Sequence, residues 1–143
     1  MVTPYARGYT AENDLHNRLI DIDYEVMRAY KSKGPYDLMA YTKGLRPLLI
    51  EVKYYSNMTA TSDSDINDKT IKRLLKKVNS TKLIARAKSV DAYPLFAFKI
   101  KGKGYLWYRL DNNKRKFMPY KKLGDLLYRF LKLENPFNAY YLG

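Results

Sequence analysis

One stretch of eight residues, Leu48–Tyr55, constrains the fold of this chain more than any other. It is apolar except for Glu51 and Lys53, and this composition predicts a largely buried β-strand. Side chains alternate across a strand, so the acid and the lysine project from the same face. Charged groups in a buried strand are costly without partners, which indicates that this face carries a polar site.

The segment before this strand predicts its partner. Tyr36–Thr42 is a second candidate strand, and Lys43–Pro47 between the two contains the glycine and proline of a turn. An antiparallel hairpin of this kind brings Asp37 near Glu51. Two carboxylates beside a lysine suit a hard divalent cation such as Mg²⁺ and the phosphodiester that it would activate. A surface strand with an ordinary salt bridge fits the spacing equally well.

The remaining elements follow from hydrophobic periodicity and from turn residues. They are a helix at Ala11–Asp21 with Thr10 as its N-cap, a strand at Tyr24–Tyr30, a loop at Ser56–Asp68, a helix from Lys69 to Lys88 that either breaks near Asn79-Ser80 or runs on, strands at Tyr93–Ile100 and Tyr105–Leu110, a polar turn at Asp111–Lys116, and a helix at Lys121–Leu133. We therefore expect a single α/β domain over residues 1–143, with a mixed five-stranded sheet flanked by helices.

The charge balance indicates a polyanionic partner. The net charge is +13, from 27 Lys and Arg against 14 Asp and Glu, and nucleic acid is the commonest polyanion in cells. The segment Lys69–Lys88 contains no acid. Its basic residues either contact DNA or form a solvated face. We predict DNA contacts for Lys69, Lys72, Arg73 and Lys76.

Composition also excludes several classes of site. The chain has no cysteine and one histidine, His16, so disulfides, thiolate sites and histidine-rich zinc clusters are excluded. No apolar run approaches the roughly 18 residues of a membrane span, and the N-terminus lacks the apolar region of a signal peptide. We expect an intracellular protein that has no membrane partner.

Three segments together resemble archaeal Holliday junction resolvases. Arg7–Glu12 resembles the basic-Gly-x-x-Ala-Glu opening of that family, and Val26–Ala40 resembles its Val-x-Arg…Ser…Asp-Leu-x-Ala segment. Leu49–Lys53 matches its apolar-Ile-Glu-Val-Lys strand. Together they form the Asp…Glu-x-Lys pattern of the restriction-endonuclease-like nuclease core.

The resemblance implies roles for individual residues. It makes five of them catalytic, namely Glu12, Ser32, Asp37, Glu51 and Lys53. Mg²⁺, or Mn²⁺ in its place, would be held mainly by Asp37 and Glu51, with Glu12 completing the site. DNA contacts would come from Arg7, Arg28, Lys31 and Lys33. Two departures are visible, because Asn13 stands where the family often has a basic residue and the segment between Ser32 and Asp37 is slightly longer.

The resemblance also implies a substrate and an assembly. A homodimer would place two sites on a four-way DNA junction and cut opposed strands symmetrically, in the cytoplasm of an archaeal cell or of the host of an archaeal virus. Two alternatives are open: a nuclease of the same superfamily that cuts other branched or duplex DNA, and a junction-binding protein without catalysis. For three aromatic residues the sequence allows two roles, stacking on unpaired bases or packing in the core: Tyr105, Trp107 and Tyr108.

Overall fold

The computed structural model of the chain describes residues 4–29, 35–55, 68–76, 80–100 and 102–132. Its elements are α1 (Pro4–Asp21), β1 (Glu25–Arg28), β2 (Leu38–Tyr41), β3 (Leu48–Tyr55), α2 (Asp68–Lys76), α3 (Ser80–Ser89), β4 (Tyr93–Ile100), β5 (Gly104–Arg109), β6 (Lys114–Pro119), a short 3₁₀ helix (Tyr120–Lys122) and α4 (Leu123–Lys132). None of the helices in these ranges is long and apolar enough to cross a membrane.

The described strands form one mixed sheet in the order β1-β2-β3-β4-β5-β6. Neighbouring strands are antiparallel except for β3 and β4, which are parallel. A parallel pair needs a crossover connection, and α2 and α3 lie in the segment that makes it. The mixed α/β sheet is thus confirmed, and β3 and β4 have the predicted bounds. Of the two alternatives for the segment from Lys69 to Lys88, the described residues form two helices, α2 ending at Lys76 and α3 beginning at Ser80, and residues 77–79 lie outside the described ranges.

Among the described residues the sheet has six strands rather than the five predicted, because part of the predicted turn Asp111–Lys116 is β6. Asn113 has a positive φ of 62° and reverses the chain, and the strand that follows pairs with β5 along its full length. β6 lies at the edge of the sheet, where Lys114 and Lys116 stay exposed while Phe117 and Met118 are buried. A strand with so few apolar residues has no clear alternating pattern, so the sequence alone does not predict it.

Two layers of apolar residues sandwich the sheet. On the face that we call the α1 face, α1 and α4 cover Leu48, Ile50 and Val52 of β3. On the opposite face, the α3 face, α3 packs Leu83 and Ala87 against a second cluster that includes Leu49. Glu51 and Lys53 alternate with Val52 and so share the α3 face with Leu49.

Helix α1 differs from its prediction at its start. It begins at Pro4, so Thr10 lies inside the helix and does not cap it. Proline suits the first position of a helix because its missing N–H would have no intrahelical partner there. The helix ends where predicted, and Asp23 turns the chain with a φ of 72°.

The three aromatic residues of β5 for which the sequence allows either base stacking or core packing are buried in the core: Tyr105, Trp107 and Tyr108.

Gly104, at the start of β5, allows a close backbone approach. A Cβ atom there would meet the carbonyl oxygen of Met118 and would lie 2.9 Å from Cα of Pro119. We expect Gly104→Ala to lower the free energy of unfolding by about 1–3 kcal/mol, because backbone atoms cannot move aside cheaply. Urea denaturation followed by the fluorescence of the single tryptophan measures this loss.

Gly102 provides the matched control for this substitution. Its φ is +71°, but a Cβ would meet no atom within 4 Å, so Gly102→Ala carries only the backbone cost of about 1 kcal/mol. Equal losses from the two variants would contradict the predicted clash.

Candidate active site

Three hydrogen bonds fix Asp37, two through its backbone and one through its carboxylate. Its backbone N–H donates to the Ile50 carbonyl at 2.8 Å, and its own carbonyl accepts from the Ala29 amide at 2.9 Å. Its Oδ2 accepts from the backbone N–H of Val52 at 2.8 Å. Asp37 thus extends the β1–β2–β3 ladder by one residue, and its side chain lies against β3 at the Val52 amide.

Glu51 and Lys53 lie next to each other on the α3 face. The Lys53 Nζ is 3.4 Å from the Glu51 Oε1, and the two side chains are 46% and 16% exposed. The lysine therefore reaches solvent, where a substrate would bind, whereas the glutamate is shielded. The predicted convergence of Asp37, Glu51 and Lys53 is what the structure shows, while their catalytic roles remain predictions.

Burial raises the pKa values of the two acids, Asp37 and Glu51. In the parallel register, Glu51 lies opposite Phe96 and Lys53 opposite Phe98, and the two rings stack with their centroids 4.8 Å apart. Burial raises the pKa of Glu51; the charge of Lys53 opposes the rise and the negative charge of Asp37 adds to it. Burial also raises the pKa of Asp37, against the Val52 hydrogen bond and the Lys53 charge. Two crowded, desolvated acids form a site that a bound cation would stabilise.

Glu12 belongs to the same electrostatic environment. It projects from α1. Burial is the main cause that raises its pKa, and the negative charge of Asp37 adds to the rise, while the charges of Arg28 and His16 oppose it. The Arg28 Nη1 is 4.0 Å from the Glu12 Oε1, and the Arg28 guanidinium donates a hydrogen bond to Asn13 Oδ1. The sequence marked Asn13 only as a departure from the family pattern. In the structure it ties α1 to β1 through Arg28.

The donor set fits a hard divalent cation held by few protein ligands. Within the described ranges, no three His, Cys, Asp or Glu side chains form a ready cluster of metal ligands. Mg²⁺, however, binds through one or two carboxylates and keeps several waters. Asp37 and Glu51 supply such a pair, each influenced by the charge of Lys53.

Several other predicted contacts lie outside what the structure describes. Arg7 lies in α1, but its side chain is not described, and Lys31, Ser32 and Lys33 fall in the gap at residues 30–34. Most of the predicted loop at Ser56–Asp68 falls in the gap at residues 56–67.

The basic residues of α2 are placed on the side of the sheet that carries the acids. Leu75 of α2 packs against the cluster on the α3 face, the face that also carries Glu51 and Lys53. The four predicted DNA contacts are exposed: Lys69, Lys72, Arg73 and Lys76. Contact of these four residues with DNA remains a prediction.

Neutralising two α2 lysines should weaken the salt dependence of DNA binding. Each phosphate contact contributes about 0.9 to the slope of log K against log salt concentration, so Lys69→Ala with Lys72→Ala should reduce the slope by about 1.8. Titrations of a four-way junction at several salt concentrations measure it. The matched control, Lys121→Ala with Lys122→Ala, removes the same charge just before α4, on the α1 face. Equal changes from both pairs would indicate diffuse attraction without a defined path.

Comparisons with known proteins identify the family of the chain. The family model for archaeal Holliday junction resolvases (Hjc) matches residues 3–132. The Hjc Holliday junction resolvase of Archaeoglobus fulgidus, an archaeal hyperthermophile, has a similar fold: the TM-score is 0.52 at 18% identity, covering 83% of this chain and 88% of that one. A bacterial homing endonuclease, I-Ssp6803I, is similar at a TM-score of 0.48 and 13% identity over 82% of this chain and 75% of that one, a score too low to indicate a shared fold by itself. None of the curated proteins compared with this sequence matches it significantly. The chain belongs to the archaeal Holliday junction resolvase family, whose members are endonucleases that resolve Holliday junctions.

Proposed function

We propose that this chain is a metal-dependent, structure-selective endonuclease that resolves four-way DNA junctions by paired, symmetric nicks. The observation that supports it most is the joint placement of Asp37, Glu51 and Lys53, in a chain whose family resolves such junctions. The Val52 amide fixes Asp37, and Lys53 lies beside Glu51. The cluster therefore combines two carboxylates with the positively charged side chain of a lysine, groups that suit the hydrolysis of a phosphodiester.

Nucleases of this family are metal-dependent in general. In our proposal Asp37 and Glu51 would hold Mg²⁺, with Mn²⁺ as a substitute, and Glu12 would complete the site from α1. When bound, the cation would neutralise charge on the scissile phosphate and lower the pKa of a water molecule. The raised pKa values of all three acids fit a site built for a cation.

Lys53 has two tasks in this proposal. Its charge opposes the rise in pKa of both neighbouring acids and so favours their ionised forms at neutral pH. Its half-exposed ammonium group would also orient the attacking water or stabilise the charge that develops on the phosphate. Arg28, partly exposed beside Glu12, would contact the DNA backbone. Ser32 would lie near the scissile phosphate, as the family pattern implies.

The symmetric outcome requires two active sites. Nicks at matching positions on opposed strands are made most simply by two copies related by a two-fold axis. We therefore propose a homodimer on the junction, each copy a single nuclease domain. We place it with its DNA in the cytoplasm of an archaeal cell, or of the host if the chain is viral.

A direct test uses a synthetic four-way junction and a linear duplex of matched sequence, each incubated with purified protein and either Mg²⁺ or a chelator. Paired, symmetric nicks in the junction alone, dependent on Mg²⁺, are the expected result. Equal cutting of the duplex, or preferred cutting of forks or flaps, would assign the core to another substrate. Junction binding without cutting in Mg²⁺ or Mn²⁺ would make the chain an architectural protein.

A further inference from the structure

A second group of polar side chains lies between α1 and the sheet, on the face opposite Glu51 and Lys53. At its centre is Tyr105 of β5, which is fully buried. Its hydroxyl is 2.7 Å from Asp14 Oδ2 and 3.1 Å from the Ala11 carbonyl oxygen, so its single hydrogen has two acceptors on α1 within hydrogen-bond distance. A single phenol thus holds one turn of α1 to the sheet.

Two cations complete the group around Asp14. The Arg18 Nε donates to Asp14 Oδ2 at 2.8 Å, and the Lys99 Nζ is 3.6 Å from the same oxygen. The Arg18 guanidinium also lies over the ring of Tyr120, 3.7 Å from its centroid, and that ring meets Tyr105 edge-on at 5.9 Å. The carboxylate of Asp14 is therefore held from α1, β4 and β5 together.

The turn held by Tyr105 is the turn that carries Glu12. Ala11 precedes Glu12 and Asp14 lies two residues after it, so the phenol contacts α1 on both sides of the acid along the chain. On the other side of the helix, Glu12 faces Arg28 and is influenced by the charge of Asp37. This turn of α1 is thus fixed from the sheet on one side and from the candidate active site on the other.

Apolar packing alone would fix this turn less well. Ala11, Leu15 and Leu19 bury one stripe of α1 against the α1 face, but the hydrophobic effect has no preferred direction. Hydrogen bonds restrict both distance and angle. The contacts of Tyr105 and Asp14 therefore restrict both the rotation of α1 about its own axis and its distance from the sheet at Glu12.

We propose that Tyr105 and Asp14 are positioning residues, which hold Glu12 at the edge of the Asp37–Glu51 pair through α1. The inference rests on the proposed function, because it gives Glu12 a role in the cleavage step. It assigns a catalytic consequence to a buried tyrosine and a partly buried aspartate, neither of which belongs to the proposed metal site.

A double-mutant cycle between Tyr105→Phe and Glu12→Gln tests the inference. The rate of a single turnover is measured with enzyme in excess over a four-way junction in Mg²⁺, and junction affinity is measured separately. In the wild-type background, Tyr105→Phe should lower the rate by about 10- to 100-fold, the effect of a misplaced catalytic group, while affinity changes less than about two-fold. In the Glu12→Gln background, the same substitution should lower the rate no further, because the group that it positions is already lost.

Tyr108→Phe is the matched control. Tyr108 is also a buried tyrosine of β5, but its hydroxyl donates to Asn113 Oδ1 at 3.0 Å, away from α1. This variant should keep the wild-type rate. Far-UV circular dichroism at the assay temperature confirms that each variant is folded.

A pair of substitutions at Asp14 gives an independent check, and decides the question if Tyr105→Phe does not fold. Asp14→Asn keeps an oxygen that accepts from Tyr105 and should retain most of the rate. Asp14→Ala removes that acceptor and should behave like Tyr105→Phe in the same cycle.

Two outcomes would overturn the inference alone. In one, the wild-type enzyme cuts the junction, but Tyr105→Phe lowers the single-turnover rate by the same factor in the wild-type and in the Glu12→Gln background. In the other, Glu12→Gln cleaves at the wild-type rate. A wild-type protein that cuts no DNA would remove the proposed function, and the positioning role with it.

Discussion

Asp37→Asn is expected to abolish junction cleavage, with a rate at least about 10³-fold below that of the wild type. Asparagine preserves the shape of the side chain and an oxygen that can still accept from the Val52 amide. It removes the negative charge that would hold a cation. The loss therefore falls on the chemical step and leaves the fold in place.

Binding should respond in the opposite direction. A negative charge close to the phosphates is lost, so the Asp37→Asn protein should bind a four-way junction as tightly as the wild type or more tightly. Single-turnover cleavage and gel-shift titration on the same junction measure the two effects separately.

Asp91→Asn is the matched control for this substitution. The Asp91 side chain is 84% exposed and pairs with Arg46 just before β4. Its φ is 54°, a backbone conformation that asparagine tolerates. The control should cleave normally, and full activity in Asp37→Asn would remove Asp37 from the metal site.

Lys53→Ala should lower the cleavage rate far more than the affinity for DNA. Loss of a positioned group that acts on water or on developing charge lowers the rate by about 10²- to 10⁴-fold. A single phosphate contact among many changes affinity far less, because the net charge of +13 dominates the attraction. The measurement compares the rate at saturating enzyme with the dissociation constant.

Lys43→Ala is the control for Lys53→Ala. Lys43 is an exposed lysine in the turn between β2 and β3, so this substitution removes the same charge from the same hairpin. If Lys53→Ala changed affinity with little effect on the rate, Lys53 would be an ordinary phosphate contact.

The core of the fold and of the candidate site could be predicted because its signals are local in sequence. The apolar runs of β3 and β4 fix their own bounds, and the turn between β2 and β3 brings Asp37 to Glu51 across a short loop. Strand alternation then places Lys53 beside Glu51. None of these steps requires knowledge of a distant part of the chain.

The parts that could not be predicted depend on distant contacts or on weak patterns. The hydrogen bond between Tyr105 and Asp14 joins residues 91 positions apart, and no periodicity marks such a pair in advance. β6 gains its strand conformation by pairing with β5 rather than from its own apolar content. Asn13 acquires a role only because Arg28 is brought to α1.

In the proposed site, the hydrogen bond from the Val52 amide to Asp37 would make cutting conditional on the pairing of β2 with β3. Until β2 pairs with β3, the acid at residue 37 and the acid at residue 51 belong to separate pieces of chain. Positive charge, by contrast, is present in every conformation that the polypeptide adopts. On this proposal, a chain in which β2 has not yet paired with β3 would bind DNA through its charge but would lack the assembled site that cuts it.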